Sequence, residues 1–364
     1  MYTNCGDRYC VPLFWLIYKR HRTVVYGLFS NMGVKLKARK FNQYSRCTSC
    51  LLVLALVFTA AALQSCERFG QSVSGLGEAF GAGSDQVEEN PESPDRDNTP
   101  IVLEDKPSGE KTFSGDGATV DYSNAGDGYV MVRYKGSNNK VKVQIAYDGG
   151  PKYTYDLRTD GAYEAFPLTQ GKGSYTIGVF LNLQDDRYLQ AVQKEITANI
   201  DDEFAPFLRP NQFVNYTEKN KAISKAEDLS KGAKSDLGAI KNMYDFVIGN
   251  VTYDYDKAKT VKSGYLPSID ETLYTGKGIC FDYASLMTAM FRSQGIPTKL
   301  VVGFADQAYH AWITCYVDGE GWIVKIHFDG AKWYFMDPTF AAGGNEVDPN
   351  LIGSGTNYNP VYYY

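Results

Sequence analysis

Histidine is scarce in this chain of 364 residues: there are three, and beyond the N-terminal region only His310 and His327. Any chemistry that needs an imidazole therefore has two candidates in the body of the protein. Basic clusters interleaved with aromatics are also missing there, and the formal net charge is -5. That balance removes the phosphate-neutralising term on which nucleic-acid binding depends, and nucleic acid is set aside as a partner. Cysteine is sparse where it would matter: of seven, five fall at positions 5, 10, 47, 50 and 66, leaving only Cys280 and Cys315 beyond. Cys47 and Cys50 form a CxxC pair, but no second Cys/His pair follows at zinc-ligand spacing, so a metal site is not expected.

The apolar run Leu51–Leu63 has 13 residues, too few to span a bilayer core of about 30 Å, and it follows the basic stretch KLKARKFNQYSR. A basic segment, a short apolar segment and small residues are the parts of an export signal. The run ends in Leu63-Gln64-Ser65-Cys66, which resembles the bacterial lipobox. That resemblance implies acylation of Cys66 and an exported, cell-surface lipoprotein held to the bacterial membrane by a lipid anchor only. Residues 1–66 are thus expected to be a signal and lipoprotein segment. A signal starting at Met32 would have conventional length, and 1–31 is therefore expected to be a misassigned start. Residues 67–111, rich in Gly, Ser, Asp, Glu and Pro, hold too few large apolar side chains to offset ordering entropy, and are expected to be a disordered tether reaching on the order of 35 to 40 Å.

From 112 to 202 the apolar period is two. Val141, Val143, Ile145 and Tyr147 alternate with Lys142, Gln144 and Ala146, and Gly/Asn/Asp turn signals recur between such runs. About seven short strands in about 90 residues predict an all-β sandwich, immunoglobulin-like in outline. Residues 203–215, with two prolines and no period, read as a linker strand or hinge. Helical spacing follows. Ser235 caps a helix in which Leu237, Ile240, Tyr244 and Val247 recur, ending at Gly249-Asn250; Ser268 to Glu271 has the spacing of a capping box.

The sequence GKGICFDYASLMTAMF, 276–291, places a lone thiol where glycines give way to a helix. Gly276 and Gly278 permit tight turns, and Leu286, Met287, Met290 and Phe291 form the apolar face of the helix, so Cys280 falls in its first turn. There the free N–H groups and the helix dipole favour a thiolate and can donate to a developing oxyanion. A thiolate that transfers an acyl group needs a base that later protonates the leaving amine. Residues 298–304 read as a strand, and His310 opens a second strand. On that strand His310, Trp312, Thr314 and Tyr316 share one face, while Ala311, Ile313, Cys315 and Val317 share the other. Cys315 therefore reads as a core thiol, with a Cys280–Cys315 disulfide as the alternative. His327, just before the Asp329-Gly330 turn, is the rival base and reads as a strand-end residue. Asp337, at the end of the WYFMD strand and held out of helical conformation by Pro338, is the candidate carboxylate for orienting the imidazole.

GKGICFDYASLMTAMFRSQGIPTKLVVGF, YHAWITCYVDGEGW and WYFMDPTF, in that order, resemble the exported bacterial branch of the transglutaminase-like superfamily; the likeness runs from Ser235 to Ala342. It implies an α+β protein, a papain-like transglutaminase core over 203–364 preceded by the sandwich, with Cys280 as nucleophile, His310 as general base and acid, and Asp337 orienting it. Members often carry an aromatic or amide oxyanion donor upstream of the cysteine. No Trp lies between Trp15 and Trp312, so Tyr253 and Tyr255 are the candidates. The calcium used by animal members has no loop of alternating carboxylates to hold it here, and no metal or other cofactor is expected. The expected function is a thiol enzyme that attacks amide carbonyls through an acyl-enzyme, as peptidase, amidase or transamidase, on protein or peptide substrates including peptidoglycan peptides. The alternative is a lipid-anchored binding or scaffold protein with a passive transglutaminase-like fold.

Overall fold

Alternation of apolar and polar residues along 141–147 places Val141, Val143 and Ile145 in the interior and leaves Lys142 and Gln144 partly exposed, the pattern of a strand with one covered face. The computed structural model describes residues 92–323, 325–326, 334–335, 337–343 and 358–364. The signal-like run with Cys47, Cys50 and Cys66, the first part of the expected tether (67–91), and His327 lie outside the described residues. The strands are β1 (Thr112–Gly115), β2 (Ala118–Asp121), β3 (Tyr129–Tyr134), β4 (Val141–Tyr147), β5 (Lys152–Leu157), β6 (Glu164–Pro167), β7 (Gly173–Gln184) and β8 (Arg187–Ala198). They form two four-stranded antiparallel sheets, ordered β1-β2-β3-β6 and β5-β4-β7-β8. Val120, Val130, Val132 and Phe166 from the first sheet share one core with Val143, Ile145, Ile177 and Val179 from the second.

The remainder mixes helix and sheet: α1 (Lys221–Ser230), α2 (Asp236–Asn250), β9 (Thr252–Tyr253), α3 (Tyr255–Thr260), α4 (Ile269–Thr275), β10 (Lys277–Gly278), α5 (Cys280–Ser293), β11 (Thr298–Ala305), β12 (Ala308–Val317), β13 (Gly321–Ile323), β14 (Lys325–Ile326), β15 (Tyr334–Phe335), α6 (Pro338–Gly343) and β16 (Tyr358–Tyr363). The expected caps form: Ser235 Oγ accepts from Gly238 N at 3.1 Å, and Ser268 Oγ from Glu271 N at 3.4 Å. Helix α5 is buried on every side from Asp282 to Ser293, packed against β11, β12, α1, α2 and α4. Each of Leu286, Met287, Met290 and Phe291 removed from water there contributes about 1.5–3 kcal/mol. Arg292, also buried, is satisfied by the main-chain oxygens of Thr298, Arg209 and Tyr364 at 2.6–2.9 Å, which ties α5 to three other segments.

Two expectations are corrected. Residues 92–111 do not form part of a loose tether: Arg96 donates to Asp236 and to Gln294, Ile101 N to Ser293 O, and Gly109 N to Asp121. Directed polar contacts hold this segment, and composition alone does not register them. Residues 203–215 are not a hinge either. Phe207 and Val214 are buried, and Gln212 bridges the Asp156 carbonyl and Glu164 at 2.6 and 2.7 Å. Through Val214, Tyr216, Tyr155 and Tyr364 the sandwich and the helical part share one apolar core.

Candidate active site

Cys280 begins α5, and two glycines set it there for different reasons. Gly276 ends α4 with φ +60, the left-handed conformation that favours glycine. Gly278 has no such φ; a Cβ on it would stand 2.7 Å from Cβ of Asp282, so it is the close approach of β10 to α5 that requires it. Asp282, fully buried in the first turn, accepts from Ile279 N at 2.9 Å, from Tyr265 OH at 2.5 Å, and pairs with Lys257 Nζ at 2.8 Å. A buried carboxylate with three donors holds the helix entrance rigidly. Its place as third residue of the helix is the one local signal the sequence carries for this residue; Lys257 and Tyr265, on α3 and the following loop, carry none.

His310 lies on β12, third in the strand rather than first, opposite Gly303 of β11. It is 1 % exposed, and its Nε2 stands 2.5 Å from Oδ2 of Asp337. Burial by itself would depress the imidazole; the carboxylate of Asp337 and, after it, Cys280 outweigh burial and push it up to about 10. Cys280 lines the same cavity as the ring. With Nε2 taken by Asp337, the nitrogen left for the thiol is Nδ1. A raised imidazole at the same cavity as a thiol is the arrangement in which a ring can serve a nucleophilic cysteine.

Asp337 is placed differently from the expectation. β15 is two residues long, and Pro338 does not exclude helix but opens α6, whose first position suits proline because its N–H would be unpaired in any case. Asp337 precedes it and uses both oxygens: Oδ1 accepts from Thr339 N at 3.0 Å, capping α6, while Oδ2 holds the imidazole. Tyr358 on β16 donates to Oδ2 at 2.8 Å. This tyrosine was not found by sequence reasoning, since a strand pairing 55 or so residues away in the chain is what delivers it.

Tyr253 is beside the thiol. β9 pairs in parallel with β10, Tyr253 opposite Gly278, and Tyr253 lines the same cavity of about 540 Å³ as Cys280 and His310. Burial, followed by the charge at Cys280, pushes its phenol up, so it stays protonated and able to donate. Tyr255 does not line the cavity and packs edge-on against Tyr253, ring centroids 5.0 Å apart. Cys315 is a free, fully buried thiol that burial pushes up to about 12, and Cys280 is free and half-buried; the alternative disulfide is not formed. Among the described residues no cluster of His, Cys, Asp and Glu is arranged to hold a metal ion.

Residues 223–338 match the sequence profile of the transglutaminase-like superfamily core. The chain is 28 % identical over 207 residues to the UPF0252 protein MJ1282 of Methanocaldococcus jannaschii, covering 51 % of this chain and 58 % of that protein, so it spans less than two thirds of that relative. Among solved structures, a candidate cysteine protease from Cytophaga hutchinsonii is 16 % identical with TM-score 0.30, over 64 % of this chain and 81 % of the other. Red sea bream transglutaminase is 14 % identical with TM-score 0.24, over 64 % of this chain and 54 % of its own. Residues 223–338, which hold Cys280, His310 and Asp337, form a domain of the transglutaminase-like superfamily.

Proposed function

We propose that this chain is a thiol enzyme that attacks amide carbonyls and forms an acyl-enzyme. The observation that carries the reading is Asp337 Oδ2 standing 2.5 Å from His310 Nε2, with Cys280 acting on the same ring and lining one cavity with it. The Cys280 sulfur adds to the carbonyl carbon as the C=O π pair moves onto oxygen. The Tyr253 hydroxyl and the N–H groups of the first turn of α5 donate to that oxyanion. As the C–N bond breaks, the imidazolium of His310 gives its proton to the departing amine, leaving a thioester. Water or a second amine, deprotonated by His310, then releases the acyl group, giving hydrolysis or transamidation. Peptides, peptidoglycan peptides among them, are the substrate class we assign.

Alkylation by iodoacetamide near neutral pH is the test. Cys280 is expected to react at least tenfold faster than a free thiol, and His310→Ala to bring it back to the free-thiol rate. Equal rates in the two proteins would remove the basis for an activated nucleophile. Full cellular function in Cys280→Ala would instead favour a passive scaffold. The same reading includes export and a lipid anchor at Cys66, carried by the Leu63-Gln64-Ser65-Cys66 sequence. Incorporation of labelled palmitate that persists in Cys66→Ser would rule that part out.

A further inference from the structure

The cavity that holds Cys280 and His310 is not walled by the transglutaminase-like domain alone. Lys142 of β4 and Thr154 and Asp156 of β5 line it as well. β5 is the edge strand of its sheet, and the register Lys142↔Asp156 and Gln144↔Thr154 puts these side chains on one face. The Asp156 carbonyl accepts from the Gln212 side chain at 2.6 Å, so it points away from β4. The N–H and C=O of Thr154, two residues earlier in an unbroken ladder, point to the same open edge. An edge strand with outward main-chain groups beside a catalytic cavity is a template for an added strand.

The facing lip is the loop 261–266, also part of the cavity wall. It comes so near β5 that a Cβ on Gly264 would be 3.3 Å from Oδ2 of Asp156. The charges on the two lips are unequal. Lys142 is paired with Asp156 at 2.5 Å, whereas no ion pair among the described residues takes up the exposed Lys262. In a chain of net charge -5, this rim of the cavity carries an excess cation.

We propose that the sandwich is the second wall of the substrate cleft: an extended peptide adds to the open edge of β5 at Thr154, and a carboxylate on that peptide is received by Lys262. The acyl chemistry at Cys280 rests on the function proposed above, but the binding does not, and the test separates them.

Binding is measured by fluorescence anisotropy on the full chain carrying Cys280→Ala, with two labelled hexapeptide pools of Ala, Ser and Tyr that differ only in one Glu or one Gln. The Glu pool is expected to bind about fivefold tighter at low salt, the size of one exposed ion pair, and the preference to fade as salt is added. Lys262→Gln should abolish the preference and Lys262→Glu reverse it. Thr154→Pro, which deletes an outward N–H on an edge strand where proline is tolerated, should weaken both pools while leaving the melting temperature within a few degrees. Equal affinity for the two pools, or a preference that survives in Lys262→Glu, overturns the charge assignment. Unweakened binding by a folded Thr154→Pro overturns the strand addition. If Thr154→Pro does not fold, the Lys262 pair of variants decides alone. Slow alkylation of Cys280 in the native chain would count against the thiol chemistry and leave these binding results standing.

Discussion

The hydroxyl of Tyr358 donates at 2.8 Å to Oδ2 of Asp337, the same oxygen that lies 2.5 Å from Nε2 of His310. Two donors share one carboxylate oxygen, so each tempers what the other receives. Removing the phenol in Tyr358→Phe returns the full charge of that oxygen to the imidazolium, and the ring should hold its proton to higher pH by up to about one unit. Asp337→Asn, which removes the charge itself, should move the ring the other way. Because the chain has three histidines, ring NMR titration resolves the change directly. Identical titration in Tyr358→Phe and the parent would show that the shared oxygen has no electrostatic consequence.

Linkage gives a second expectation. The imidazole of His310 is raised from 6.5 to about 10, because Asp337 and Cys280 outweigh burial. The native state therefore keeps a proton that the unfolded chain releases near pH 6.5. The stabilisation from this group is whole below that pH and declines as pH rises toward about 10, at no more than about 1.4 kcal/mol per pH unit. Urea unfolding of the parent and of Asp337→Asn should show a stability gap that is widest near pH 6 and narrows by pH 10. A gap constant across that range would contradict the raised imidazole.

Tyr253→Phe removes the proposed oxyanion donor and leaves the ring in place. Acylation by p-nitrophenyl acetate in a single turnover should slow about 10²-fold, with peptide affinity unchanged. Tyr255→Phe, behind Tyr253 and outside the cavity wall, should change the rate less than about threefold. Equal effects from the two substitutions would mean that Tyr253 is not the donor.

Gly303 faces His310 across the β11–β12 ladder and adjoins the irregularity in the β11–β16 pairing. A Cβ there would meet Asn359 O at 2.2 Å and the Trp312 ring at 3.0 Å. Gly303→Ala should push β16 outward, cost about 1–3 kcal/mol in urea unfolding, and displace Tyr358 from Asp337. Gly249→Ala, in α2 with open space around it and an ordinary φ, should instead stabilise by about 0.5–1 kcal/mol. A neutral Gly303→Ala would show that β16 accommodates the methyl group.

Much of the site was legible before any coordinates. Cys280, His310 and Asp337 each stand next to a local signal: a glycine-to-helix junction, a strand of alternating faces, an acid before proline. The alternation that separated His310 from Cys315 holds, with the second thiol sealed on the opposite face. Asp337 shows how a right residue can come with an incomplete reason. A following proline signals an end to regular structure, while the missing N–H that bars proline from helix interiors is harmless at a helix start, and the same acid caps the helix.

What escaped was whatever depends on pairing between distant segments. Neither Tyr358's partner nor the place of the sandwich at the cavity carries a local pattern, because β16 and β5 reach the cavity through ladder register and through the buried junction at 203–216. Periodicity and capping are properties of neighbouring residues, so the sequence by itself determined most helices and strands and the three candidate side chains. Which tyrosine touches the carboxylate, and which strand edge faces the thiol, was decided only when long-range packing closed the core, since those contacts exist only between surfaces that folding brings together.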